Sequence, residues 1–144
     1  MATEISSTIA RECFAVRLRL LNRLVTNIYD TALRPLGLKV SQMNILVVVD
    51  RLGLARPAQV GRLLELDAST LSRNVERMRT KGWLENVDDD DARAHPFRLT
   101  AKGSKLLRRA FPAWEKAQQD AAGVLGRDGV EWLTDFGEKA GLSR

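Results

Sequence analysis

Ser69, Ser72, Arg73, Glu76, Arg77 and Thr80 recur at a spacing that gathers them on one side of a helix over residues 69–80. At 100° per residue, Leu71, Val75 and Met78 fall within about 60° of one another on the opposite side. Short hydroxyls at the N-terminal end allow close approach of another surface. Arg73 and Arg77 share a flank, and a guanidinium pairs in bidentate fashion with a phosphate or with the O6 and N7 of guanine. The free amides of the helix start add a partial positive charge. The chemistry on offer is therefore recognition of a polyanion. The plainer reading, a solvated helix with weak Glu–Arg surface pairs, would prevail if the segment stood alone. A run of four aspartates, Asp88 to Asp91, follows, and Arg93 is separated from it by one residue. Asp91 can hold the Arg93 guanidinium extended, which suits entry into a narrow electronegative groove. The alternative is an acidic loop without contacts.

The charge balance agrees with this. The chain of 144 residues carries a net charge of +5, and residues 51–110 alone contain 13 Lys/Arg against 8 Asp/Glu. Such a basic island suits nucleic acid, or is an ordinary solvated surface. The single histidine, His95, has no second histidine with which to build a metal site or a triad, so an enzyme is not expected, nor a cofactor. One cysteine, Cys13, permits no internal disulfide. The apolar run "ILVVV" at 45–49 is too short to span a bilayer, and the N-terminus lacks the layout of a signal peptide. A cytoplasmic protein with no membrane partner is expected.

The elements that must position the helix can be read from periodicity and capping. Residues 9–34 predict one long helix with a broad apolar stripe through Val16, Leu20, Leu24 and Ile28, ended by Pro35 and Gly37. Ser41 is expected to cap a second helix over about 42–52, facing its core with Met43, Leu46 and Val47. Pro57 starts a short helix that buries Val60, Leu63 and Leu64. Asp67 or Ala68 leads into the 69–80 helix, so the two helices form a helix-turn-helix. "WLENV" and "HPFRL" read as a hairpin in which Pro96 makes the second strand an edge. Thr100 caps a helix over about 101–123, bent at Pro112, and a last helix covers about 128–140. The fold class is mainly α with a small β-hairpin wing. Both terminal arms carry wide apolar stripes, which a two-fold dimer would cover; a monomer whose arms fold back on each other is the other solution.

On the segments "GLKVSQMNIL", "ARPAQVGRLLELDASTLSRNVERMRTKGWLE" and "DARAHPFRLTAKG", with its Asp-x-Arg and Leu-Thr-x-x-Gly, the chain resembles the MarR family of winged helix-turn-helix transcription regulators. The resemblance extends over nearly the whole chain. It implies one domain over 1–144, with dimerisation helices at 9–36 and 101–144 around a DNA-binding lobe at 41–100. It implies a homodimer on a palindromic double-stranded operator, usually repressing nearby genes. Carried onto these positions, Ser69, Thr70, Ser72, Arg73 and Arg77 contact the major groove and its phosphates. Arg93, steadied by Asp91, enters the minor groove, and Ser41 holds a phosphate.

Regulators of this family commonly release DNA on binding a small aromatic acid, and Arg17 or Arg19 could take its carboxylate. "ECFAV" around Cys13 also resembles the reactive-cysteine region of the peroxide-sensing OhrR branch, with Tyr29 where one stabilising tyrosine would stand. "KVSQM" occupies the place where the others would be expected, and a buried, inert cysteine is the competing reading. A third class is a winged helix that only dimerises or recruits a protein. The outward face of residues 69–77 should then be apolar or acidic; it is hydroxyl and arginine instead.

Overall fold

A computed structural model describes residues 3–88 and 95–141. Helix α1 (Glu4–Glu12) and helix α2 (Phe14–Leu33) lead through a 3-10 turn, Arg34–Leu36, to α3 (Val40–Leu52). Then come α4 (Pro57–Leu64), α5 (Ala68–Thr80), the strands β1 (Leu84–Asn86) and β2 (Phe97–Leu99), and α6 (Ala101–Lys139). This is the expected class, mainly helical with one two-stranded antiparallel wing.

The core is built where α3, α4, α5 and the wing meet. Leu33, Ile45, Leu46, Val49, Val60 and Met78 are fully closed off from water there. Of the α3 residues named from periodicity, Met43 and Leu46 are buried but Val47 is exposed; Gln42, Ile45 and Val49 complete the inward face. On α4, Val60 is buried and Leu63 is not. Along the arms, α2 packs against α6, where Tyr29 donates to Gln118 and the neighbouring Ala117 and Ala121 are buried.

Four expectations are corrected. The first helix is not continuous over 9–34. It begins at Glu4, capped by Thr3, and is interrupted at Cys13, whose backbone is extended at φ −66°, ψ 110°. The break leaves carbonyls at the end of α1 without helical partners, and the Arg17 guanidinium donates to one of them, that of Arg11. Ser41 is not a cap but lies inside α3. The free amides at that helix start are taken instead by Asp30, whose Oδ1 accepts from the Val40 N–H at 2.8 Å, and by Gln42, whose Oε1 accepts from the Lys39 N–H at 3.1 Å. Strand β2 is not an edge. Phe97 exchanges two backbone hydrogen bonds of 2.9 Å with Ala55, so β2 is paired on both sides. Pro96 precedes the strand, where its missing N–H costs no ladder bond, and its carbonyl accepts from Val87 at 2.9 Å. Finally, Pro112 does not interrupt α6, which runs through it; the break comes at Gly126, held at φ 70°, ψ 172°, inside the gap expected between 123 and 128.

The wing is locked to the start of α6 by a small set of contacts that account for the Leu-Thr-x-x-Gly sequence. Thr100 Oγ1 donates to the Gly82 carbonyl at 2.6 Å and accepts from the Gly103 N–H at 3.0 Å. Gly103 packs so closely on Trp83 that a Cβ added there would overlap the Trp83 carbonyl oxygen. Only glycine fits.

Candidate nucleic-acid interface

Helix α5 turns the face expected of it. Leu71 and Met78 are buried and Val75 is half-buried against the core. Ser69, Ser72, Arg73, Glu76, Arg77 and Thr80 are all exposed. Glu76 is taken by Arg79 at 2.6 Å, leaving Arg73 and Arg77 with no ion pair among the described residues. Two guanidiniums and a serine hydroxyl thus project from one surface of a helix whose other surface is anchored in the core.

The N-terminus of α5 differs from the sequence expectation. One of its free amides, that of Thr70, is not open to an external anion, because Asp67 caps it. Asp67 Oδ1 accepts from the Thr70 N–H at 2.8 Å and from Ser69 Oγ at 2.6 Å, and Oδ2 accepts from Thr70 Oγ1 at 2.6 Å. The Ser69 and Thr70 hydroxyls hold the Asp67 carboxyl well below the usual carboxylate range. A third residue on the helix, Asn74, donates back to the Thr70 carbonyl at 3.1 Å.

Beside this face lies a cleft of about 1490 Å³ between α4, α5 and the wing, lined in part by Arg56, Arg62, Arg79, Asn86 and His95. His95 is exposed, with a left-handed backbone at φ 39°. Asp91 and Arg93, assigned to the wing tip, lie outside the described residues. At the other end of α5, Lys81 Nζ donates to the Gly37 carbonyl at 3.0 Å and sits 4.5 Å above the Trp83 ring. Lys102 Nζ donates to the Lys81 carbonyl at 2.7 Å. These lysines tie the end of the helix to the corner between arm and lobe, a role that charge and periodicity do not disclose.

The residues assigned to an effector do not converge. Cys13 is half-buried at the break between α1 and α2. Tyr29 donates through its hydroxyl to Gln118 Oε1 on α6, and burial raises its pKa. With a rise of about 1.5 Å per residue, Tyr29 lies roughly 24 Å along α2 from Cys13, so the two cannot touch within one chain. Arg17 is engaged with Arg11, and Arg19 is exposed. A polar cleft of about 620 Å³ at the junction of arm and lobe is lined instead by Asn27, Asp30, Thr31, Arg34 and Lys39. Sequence reasoning missed these residues, since only the turn after Leu33 brings Arg34 and Lys39 back beside Asp30. Among the described residues there is no cluster of His, Cys, Asp and Glu able to hold a metal, and no single helix is long and apolar enough to cross a membrane.

A helix-turn-helix whose second helix bears a cationic outer face, followed by a strand pair closing on the same core, defines a winged-helix protein. The model of the MarR family matches residues 36–94. The transcriptional regulator MOSR of M. tuberculosis, solved in complex with DNA, is 30% identical, with a TM-score of 0.76 over 92% of this chain and 99% of that one. This chain belongs to the MarR family of transcriptional regulators. The fold is shared with a mutant MarR from E. coli complexed with operator DNA, 20% identical with a TM-score of 0.81 over 92% of this chain and 96% of that one. The multiple antibiotic resistance protein MarR of Salmonella typhimurium is 25% identical over 91 residues, 62% of this chain. That match spans 63% of the relative's length.

Proposed function

We propose that this chain binds double-stranded DNA in the cytoplasm as a homodimer and represses transcription from a palindromic operator. One observation carries the reading: α5 exposes Ser69, Ser72, Arg73 and Arg77 together while burying Leu71 and Met78. An interaction module without DNA binding has no use for such a face. The DNA complex of the 30% identical MOSR supports the same reading. The arms at 9–36 and 101–144 supply the dimer contact, and the lobe at 41–100 supplies the DNA contacts. In this arrangement Ser72, Arg73 and Arg77 enter the major groove, and Ser69 and Thr70 flank them at the helix start. Ser41, exposed on the first turn of α3, approaches a phosphate. Arg93, steadied by Asp91, reaches the minor groove. Selection of bound sequences from random duplexes tests this. The expected result is an inverted repeat with half-sites about one helical turn apart. A chain that retains no duplex at low ionic strength overturns it.

Release is the second part of the proposal. A small aromatic acid is the effector class the family suggests, and the cleft at Asp30, Arg34 and Lys39 offers cations for its carboxylate, where Arg17 and Arg19 do not converge. Oxidation of Cys13 is the alternative switch. It is favoured by the position of Cys13 at a helix break, where a change in the side chain would move α1 against α2. Hydroperoxide-induced release that survives Cys13→Ser would eliminate it.

A further inference from the structure

The DNA-facing surface of α5 begins with two hydroxyls whose hydrogens are already committed. Ser69 Oγ and Thr70 Oγ1 each donate to a different oxygen of Asp67, both at 2.6 Å. A hydroxyl has one hydrogen and two lone pairs, so each of these oxygens has only lone pairs left to offer. Asp67 itself is an ionised carboxylate and likewise only accepts. Thr70 is half-buried, whereas Ser69 is exposed. The first polar atom that α5 presents outward is therefore an acceptor.

This has a consequence for base reading. Phosphate oxygens, guanine O6 and N7, adenine N7 and thymine O4 are all acceptors, and they gain nothing from Ser69 in this state. The groups in the major groove that can donate are the exocyclic amines, N4 of cytosine and N6 of adenine. We infer that Asp67 is a specificity-determining residue: by holding the Ser69 hydrogen, it makes Ser69 a reader of cytosine or adenine at the start of α5 and keeps phosphate away from that end. The inference rests on α5 being the helix that enters the major groove, as proposed above.

The test compares the wild type with Asp67→Asn and Ser69→Ala, by selection from random duplexes followed by titration of single-base variants. Asparagine caps a helix about as well as aspartate, so the fold should survive, which circular dichroism and melting check. Its amide offers one acceptor oxygen in place of two, and so frees a hydroxyl hydrogen. In the wild type, one position per half-site should carry cytosine or adenine on the contacted strand, and its replacement by guanine or thymine should weaken binding about tenfold. Asp67→Asn should shrink that preference to about twofold or less, and Ser69→Ala should erase it at the same position, with the rest of the consensus intact. If Asp67→Asn leaves the preference unchanged, if Ser69→Ala alters no position, or if Ser69→Ala erases a preference for guanine or thymine, the inference is overturned while DNA binding stands. A wild type that selects no sequence brings down the DNA-binding reading itself, a different result.

Discussion

In the winged-helix lobe, Ile45, Leu46, Val49, Val60 and Met78 are sealed from water. In the arms, Phe14, Leu20, Trp132 and Phe136 stand at least half exposed, at 77%, 62%, 55% and 50%. The lobe completes its core within one chain and turns polar and cationic groups outward. The arms do the reverse, with α1 burying no residue at all. Two kinds of recognition follow from this contrast. Polar groups on a rigid support select a partner by charge and hydrogen bonding, whereas bare aromatic and aliphatic rows are suited to another apolar surface. The homodimer proposed here gives those rows their cover.

The contrast can be broken first from the lobe side. Gly103→Ala should cost about 3 kcal/mol, because the new methyl meets the Trp83 backbone rather than a flexible side chain. A fall in melting temperature of roughly 10 °C is expected, and an unchanged melt would contradict the close approach. On the arm side, Leu20→Asp should convert dimer to monomer in sedimentation, with helical content nearly unchanged, since Leu20 contributes little to the core of its own chain. If the dimer persists with undiminished affinity, the first arm is not the interface. Arg77→Ala should spare both folding and association yet weaken operator binding roughly tenfold, and lower the slope of log affinity against log salt by about one. An unaltered slope in an anisotropy titration would remove Arg77 from the phosphates. The smallest effect concerns acid. The pKa of Asp67 is depressed in the folded chain, so its caps and hydrogen bonds contribute stability at neutral pH that fades as the pH falls below about 4. Asp67→Asn should flatten that part of the acid unfolding curve, and parallel curves for the two proteins would show that the cap contributes nothing ionic.

What the sequence discloses and what it hides divide along physical lines. The face of α5, the Thr100 cap and the start of α5 at Asp67 or Ala68 were legible from local spacing and capping, and the hairpin from two short apolar runs flanking a polar loop. The break at Cys13 was not, since "ECFAV" carries neither proline nor glycine to announce it. Ser41 looked like a cap because serine is a good one, but Asp30, ten residues upstream, reaches the Val40 amide first. Pro96 read as the mark of an edge strand because the partner on its far side, Ala55, comes from a distant loop. The break between the two C-terminal helices, expected between 123 and 128, falls at Gly126, where a left-handed backbone favours glycine; only the interruption expected at Pro112 is missing. Of the candidate site, the outward residues of α5 could be named from spacing alone. The commitment of the Ser69 and Thr70 hydroxyls to Asp67 could not, since it depends on where hydrogens point.

The double pairing of Phe97, with β1 on one side and Ala55 on the other, has a mechanical meaning. A hairpin attached along a single seam can flap; this one is clamped between its sister strand and the segment that launches α4. The base of the wing at Phe97 is accordingly held in a set position against the start of α4. Moving the base of the wing away from α4 would require breaking both backbone hydrogen bonds between Phe97 and Ala55.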